Sequence, residues 1–277
     1  MVSVMNPRRR GVRRGLTLLE LVVVLAILVA IGGLVVPLLG NYLHRANIAS
    51  CAVNIPEMDK LVQTYVNLYA AYPDRLDNLC LAGGGLASYV QTGAGGDYGA
   101  SFTAAELTAG DASALTEAGI TTLCNIVEEP ATPGDWNPTF WPYGADRSAA
   151  PTTTAVAADV EAATLTAEGA RLMGLPYSAN YKYVIFGLNT PCTLFRNIAE
   201  EAPYHFADTP AEDPASFYMA FGAVFMVARP NPAGTAAVNL EKAKYMGTIA
   251  FHDFGLSTAG MHTQEWWSRL KDERPDR

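Results

Sequence analysis

The chain has 277 residues, half of them apolar and 17% charged, with a formal net charge of −8. That is room for one ordinary domain and an additional segment. The acidity disfavours nucleic acid as a partner, because such binding rests on lysines and arginines that neutralise phosphates.

The first element is an apolar run from Leu16 to Leu39 whose only charge is Glu20. At about 1.5 Å rise per residue it predicts a helix of about 36 Å, enough to cross a hydrocarbon core of about 30 Å. Arg8, Arg9, Arg10, Arg13 and Arg14 precede it, a basic flank that would hold the N-terminus on the cytoplasmic side. A carboxylate inside such a span is costly and points to a functional group with a partner. A cleaved secretory signal would have a shorter core and a small-residue cleavage site, and the flank Leu38-Leu39-Gly40-Asn41-Tyr42 offers none.

Gly15-Leu16-Thr17-Leu18-Leu19-Glu20, followed by the apolar run and Pro37, resembles the N-terminus of type IV prepilins and type II secretion pseudopilins. The resemblance implies cleavage by prepilin peptidase between Gly15 and Leu16 and methylation of the new amine at Leu16. Glu20 then stands at the fifth mature position, where the family has its assembly carboxylate, and Pro37 at the twenty-second, where it has a helix-bending proline. Leu16 departs from the phenylalanine usual after the cut. Residues 1–15 become a cleaved cytoplasmic leader, 16–39 a transmembrane helix, 40–73 the outer half of the same helix and 74–277 a periplasmic head. Loss of the leader's arginines makes the mature chain more acidic still.

Beyond Leu43 the helix is expected to continue, because Cys51, Ile55, Met58, Val62, Tyr65, Tyr69 and Tyr72 step by four and three along one face. Pro56 should bend or restart it, as Pro37 should in the first half, and Tyr72-Pro73-Asp74 should stop it. The tyrosine row Tyr65, Tyr69 and Tyr72 reads as core packing against a sheet. Cys51, Cys80, Cys124 and Cys192 all lie beyond the apolar run. If the region beyond the run faces an oxidising compartment, two disulfides fit, with three connectivities open, and free buried thiols are the alternative. A chain folding back after Pro73 would join Cys51 to Cys80 and leave Cys124 to Cys192.

Residues 82–176 read as a variable, loop-rich insertion, punctuated by Gly83-Gly84-Gly85, Gly93-Ala94-Gly95-Gly96 and a proline-rich stretch from Pro130 to Pro142. Short helices are predicted at Ala104–Leu107, Ala112–Ala118 and Val156–Met173, with Thr152-Thr153-Thr154 in a linker. Residues 177–277 carry the strand signals: Tyr181–Gly187, Phe217–Arg229 with a bulge or turn at Gly222, and Lys244–Phe254. Pro230-Asn231-Pro232-Ala233-Gly234 marks a turn, and Gln264–Leu270 a closing helix. Strands in succession imply an antiparallel sheet.

No nucleophile elbow, phosphate loop, zinc-binding helix or dinucleotide fingerprint is present. His252-Asp253 would point to opposite faces of a strand, Glu128-Glu129 and Glu200-Glu201 read as solvated surface, and no calcium-loop pattern occurs. The expectation is therefore an α+β, pilin-like fold in which a long N-terminal transmembrane helix packs on an antiparallel sheet of three or four strands. Its expected role is a structural, non-enzymatic subunit of a type IV pilus-like or secretion pseudopilus filament, minor or specialised, without cofactor or metal. The partners so implied are prepilin peptidase, other pilin or pseudopilin subunits, an inner-membrane assembly platform with its ATPase, and the lipid bilayer. Two alternatives stand beside it: a surface or tip module gripping a ligand through 82–176, and a membrane-anchored periplasmic enzyme.

Overall fold

The computed structural model describes residues 18–90, 100–128, 141–144, 146, 148–204, 218–252 and 255–257. Side chains at 34–45, 47, 48, 252 and 255–257 fall outside that description. Contacts divide the chain into two units, Met1–Leu43 and His44–Arg277.

One helix, α1 (Leu18–Tyr69), runs through both. Pro37 and Pro56 lie inside it and neither ends it, so the restart expected at Pro56 does not occur. The helix ends at Tyr69, ahead of the stop expected at Tyr72-Pro73-Asp74. Ala70 takes a left-handed φ of 55° and its amide still reaches Val66 O, a common way to close a last turn.

Within the second unit, Cys51, Ile55, Met58, Val62 and Tyr65 are all buried, as their spacing predicts. Tyr69 is not: it is 50% exposed and leans on Tyr65 at a ring distance of 4.6 Å. The tyrosine row therefore only partly enters the core.

The sheet is far larger than three or four strands. It comprises β1 (Leu76–Leu81), β2 (Phe102–Glu106), β3 (Thr122–Ile126), β4 (Thr153–Ala155), β5 (Glu161–Leu165), β6 (Lys182–Leu188), β7 (Phe221–Pro230), β8 (Ala237–His252) and β9 (Gly255–Ser257). Helices α2 (Ala109–Glu117), α3 (Ala167–Leu172) and α4 (Thr193–Asn197) intervene. The main path is β4-β3-β1-β6-β7-β8-β9, antiparallel except for the parallel pair β1/β3. The edge of β6 is shared, β5 pairing Val184 and Ile185 and β1 pairing Gly187. Here the sheet forks into two branches, β5-β2 and β1-β3-β4. At the fork Asn78 Nδ2 donates to Glu161 O at 2.9 Å, so a side chain supplies a bond between β1 and β5.

Residues 82–176 are thus not an irregular insertion. They supply β2 to β5 and two helices, and the segment predicted helical at Ala104–Leu107 lies largely in β2. There Ala104 and Ala105 face Ala163 and Ala162 of β5. Alanine's helix propensity amounts to a few tenths of a kcal/mol against most residues, and paired strands override it. The helix predicted over Val156–Met173 is β5 followed by α3.

The central strands separate two cores. On β6, Val184, Phe186 and Leu188 join the α1 stripe, while Tyr183 and Ile185 join Tyr89, Phe102 and Phe251 on the other face. Strands covered on both faces read as continuous apolar runs, which is why β6 and β7 were legible. Gly222 is neither bulge nor turn, since it pairs with Gly187 and Ile249. A Cβ there would lie 2.8 Å from the Phe251 ring.

Among the described residues no helix is long and apolar enough to cross a membrane. This corrects the expected transmembrane helix, and with it the pilin-like fold and the single-pass inner-membrane placement with a periplasmic head.

Candidate functional site

The first unit's candidate surface is the start of α1. Leu18, Leu19, Leu21, Val22, Val23, Val24, Leu25, Ile27, Leu28, Val29 and Ile31 are all exposed, Leu18 to 82% and Val29 to 74%. Successive residues turn by about 100° around a helix, so five consecutive exposed positions, Leu21 to Leu25, leave every side apolar and uncovered. A Cβ added at Gly32 or Gly33 would meet nothing within 4 Å. Among the described residues no packing requires these glycines, each of which costs about 1 kcal/mol relative to alanine in a helix. Glu20 sits in the first turn and is exposed, a position where the positive end of the helix dipole favours a carboxylate. The processing residues Gly15 and Leu16 lie outside the described residues, and Pro37 is placed only by its helical backbone.

In the second unit, three aspartates organise the polar interior. Asp59 of α1 reaches over to β8: its Oδ1 accepts from Tyr245 Oη at 2.6 Å and from the Thr248 amide at 2.8 Å. The β7/β8 register slips at Met246, next to Gly247 with its φ of 142°. The helix carboxylate thus takes a strand amide beside this bulge. Asp111 closes a capping box with Thr108 at the start of α2. It also accepts from Lys182 Nζ at 2.6 Å and Asn239 Nδ2 at 2.7 Å, tying α2 to β6 and β8. Burial works against its charge, yet Lys182 and the Thr108 cap hold the carboxyl below its usual range.

Asp77 is different. It lies on β1 at the fork, 1% exposed, and accepts from Tyr143 Oη at 2.5 Å and Tyr218 Oη at 2.6 Å. Burial pushes this carboxyl up to about 7, against the lowering effect of both tyrosines and Asn189. Gly187 opposite is obligatory, because a Cβ there would fall 1.7 Å from the Tyr218 hydroxyl.

All four cysteines are buried, and Cys80, Cys124 and Cys192 stand as free thiols, so neither Cys51–Cys80 nor Cys124–Cys192 is joined. Cys124 is the strand partner of Asp77 and so shares its side of the sheet, whereas its neighbour Leu123 joins the α1-side core. Cys192 belongs to that same α1-side core, so strand alternation turns Cys124 away from it. Cys51 is on the core stripe of α1, while Cys80 sits in β1 with a bridge to Leu86. Burial raises the Cys80 and Cys124 thiols to about 12, far from the thiolate form that reacts.

The remaining sequence candidates do not gather. The turn at Gly83–Gly85 receives an internal carboxylate, Glu161, on the Gly85 amide, so its donor faces protein and not a phosphate. Glu128 accepts from the Ser88 amide, and Glu200 and Glu201 are exposed. The His252 side chain, Asp253, Glu129 and the segment Gln264–Leu270 lie outside the described residues. Among the described residues no group of three or more His, Cys, Asp or Glu could hold a metal. Sequence reasoning missed Asp59, Asp77 and Asp111 as structural centres. Only Asp111 carried a signal, as the third helical residue after Thr108 before an apolar run.

No protein-family model, curated protein or solved structure matches this chain.

Proposed function

We propose that the chain is a structural subunit of a type IV pilus-like or secretion pseudopilus filament, cut by prepilin peptidase after Gly15. The observation that carries this reading is the uncovered apolar circumference of α1 between Leu18 and Ile31, with a carboxylate in its first turn. Removing such surface from water yields about 25 cal/mol per Å². For eleven large side chains already partly shielded by their helix, the total is on the order of 10 kcal/mol. A gain of that size favours packing against similar helices of neighbouring subunits.

Glu20 would then set the register. Cleavage exposes an amine at Leu16, and the carboxylate of an incoming subunit meets the amine of one already assembled. Away from water that attraction is strong, and it acts only when the two groups align; an unpaired charge there costs several kcal/mol. Besides the peptidase, the partners are other subunits and the assembly platform with its ATPase.

The test is Glu20→Gln expressed with the complete assembly machinery, read in sheared filament fractions. Cleavage, seen as a mature chain beginning at Leu16, should persist while incorporation falls at least tenfold. Equal incorporation of the variant removes Glu20 from the assembly step. An intact Met1 in the parent protein would overturn the filament reading altogether.

A further inference from the structure

The Asp77 centre is independent of any filament. It stands where β1 and β5 part company on the edge of β6, and its two carboxylate oxygens collect hydroxyls from two distant segments, at Tyr143 and Tyr218. The groups packed around it are neutral or anionic. Tyr143 comes from the turn at 141–144, Tyr218 from the lead into β7, and Tyr89 stacks on Tyr218 at 6.5 Å. Cys124 comes from β3 and Asn189 from the end of β6, while Cys192 at the start of α4 is coupled to Asp77 only electrostatically, from the α1-side core. From the approach to β1, Asp74 and Arg75 act on Cys124, but among the described residues no cation forms an ion pair with Asp77. A Cys124 or Cys192 thiol kept neutral by burial offers no charge either. Asn189, buried beside the centre, favours the ionised carboxyl but supplies no charge to balance it.

We infer that Asp77 is a proton-operated latch: its neutral form lets β1, the 141–144 turn and the residue-218 segment close on it at the fork, and ionisation leaves a buried charge, with no cation beside it among the described residues, that destabilises their junction. A buried carboxylate without a cation is costly, and hydrogen bonds from neutral hydroxyls offset only part of the cost. The sign follows from proton linkage. The folded form holds its proton up to about 7, against 3.8 for the ordinary carboxyl, so it binds more protons than the unfolded chain between those values. The latch's stabilisation is present in acid, is lost as pH rises through that window, and is gone above it.

The experiment uses the full-length chain. Urea unfolding is measured from about pH 4 to about pH 8 for the parent and Asp77→Asn, and the ratio of their folding constants is followed. The ratio isolates Asp77 from other carboxyls, and it should fall on the order of a thousand-fold across the range. Parallel pH profiles overturn the latch. Carbon-13 NMR of aspartate-labelled parent protein gives a second reading that needs no variant to fold: the Asp77 carboxyl should titrate near neutrality, and a midpoint below about 5 overturns the inference. Tyr143→Phe removes a donor that favours the ionised form, so it should move that midpoint up; a downward or absent shift contradicts the assignment.

Discussion

Asp59→Ala tests whether one helix carboxylate holds α1 to the far end of the sheet. Asp59 Oδ1 is the acceptor for both Tyr245 Oη and the Thr248 amide. Tyr245 keeps a second contact, to Thr248 Oγ1 at 2.5 Å, so its loss is partial. The Thr248 amide belongs to a residue only 3% exposed and has no such reserve. Leaving a buried amide unpaired costs about 1–3 kcal/mol, and a hydrogen bond to a charged group is worth about 1.5–3. Alanine returns about 0.5 kcal/mol of helix propensity. The balance is a destabilisation of about 3 kcal/mol. Asp59→Asn keeps an acceptor and should lose about 1 kcal/mol. With a urea slope of about 2–3 kcal/mol/M, the alanine variant's midpoint should fall by roughly 1–1.5 M, read by near-ultraviolet circular dichroism of the packed aromatics. A shift under about 0.3 M, or equal shifts for alanine and asparagine, would refute the reasoning that the acceptor oxygen is what matters.

Gly187→Ala should be among the most damaging single-methyl changes, because the new Cβ meets the Tyr218 hydroxyl at 1.7 Å and Asp77 Cβ at 2.9 Å. Overpacking of this kind costs about 1–3 kcal/mol or more, and Gly187→Ala combined with Tyr218→Phe should recover part of it in thermal unfolding. Pro56→Ala should go the other way: inside an uninterrupted helix it restores a missing amide donor, and a gain of about 1–3 kcal/mol in urea unfolding is expected. A loss would mean that Pro56 makes contacts worth more than the bond it forfeits.

The parts of the fold that could be read in advance are those where burial leaves a period. The α1 stripe from Cys51 to Tyr65 announces itself by steps of four and three, and β6 by an unbroken apolar run because both its faces are covered. The turn of the β7/β8 hairpin is equally legible, since Asn231 Oδ1 caps the amide of Thr235. Illegible were β2, β4 and β5, whose alanines and threonines have no strong preference until they are paired. The fork depends on Asn78, one polar residue whose partner is a backbone carbonyl 83 positions away. Asp59, Asp77 and Asp111 look alike as letters. One anchors a helix, one has no cation beside it among the described residues and one caps a helix against Lys182, and only the neighbours brought in from distant segments decide which. The cysteines failed for the same reason: even number and common compartment allow bridges, but strand alternation turns Cys124 away from the core that holds Cys192.

The bond between Asp59 and Thr248 spans 189 positions of the chain, and that between Tyr65 and Thr193 spans 128. A ribosome adding about 5–20 residues per second needs roughly 10–40 s to travel from the first of the Asp59–Thr248 pair to the second. For that time the core stripe of α1 waits without β7 and β8, which supply Phe221, Phe225, Val227 and Ala250 to its cover. The helix is made first and shielded last. A nascent chain of this design keeps that stripe uncovered until β8 is made. Such long-range closure slows folding, so truncations that remove β8 should aggregate instead of giving a smaller folded unit.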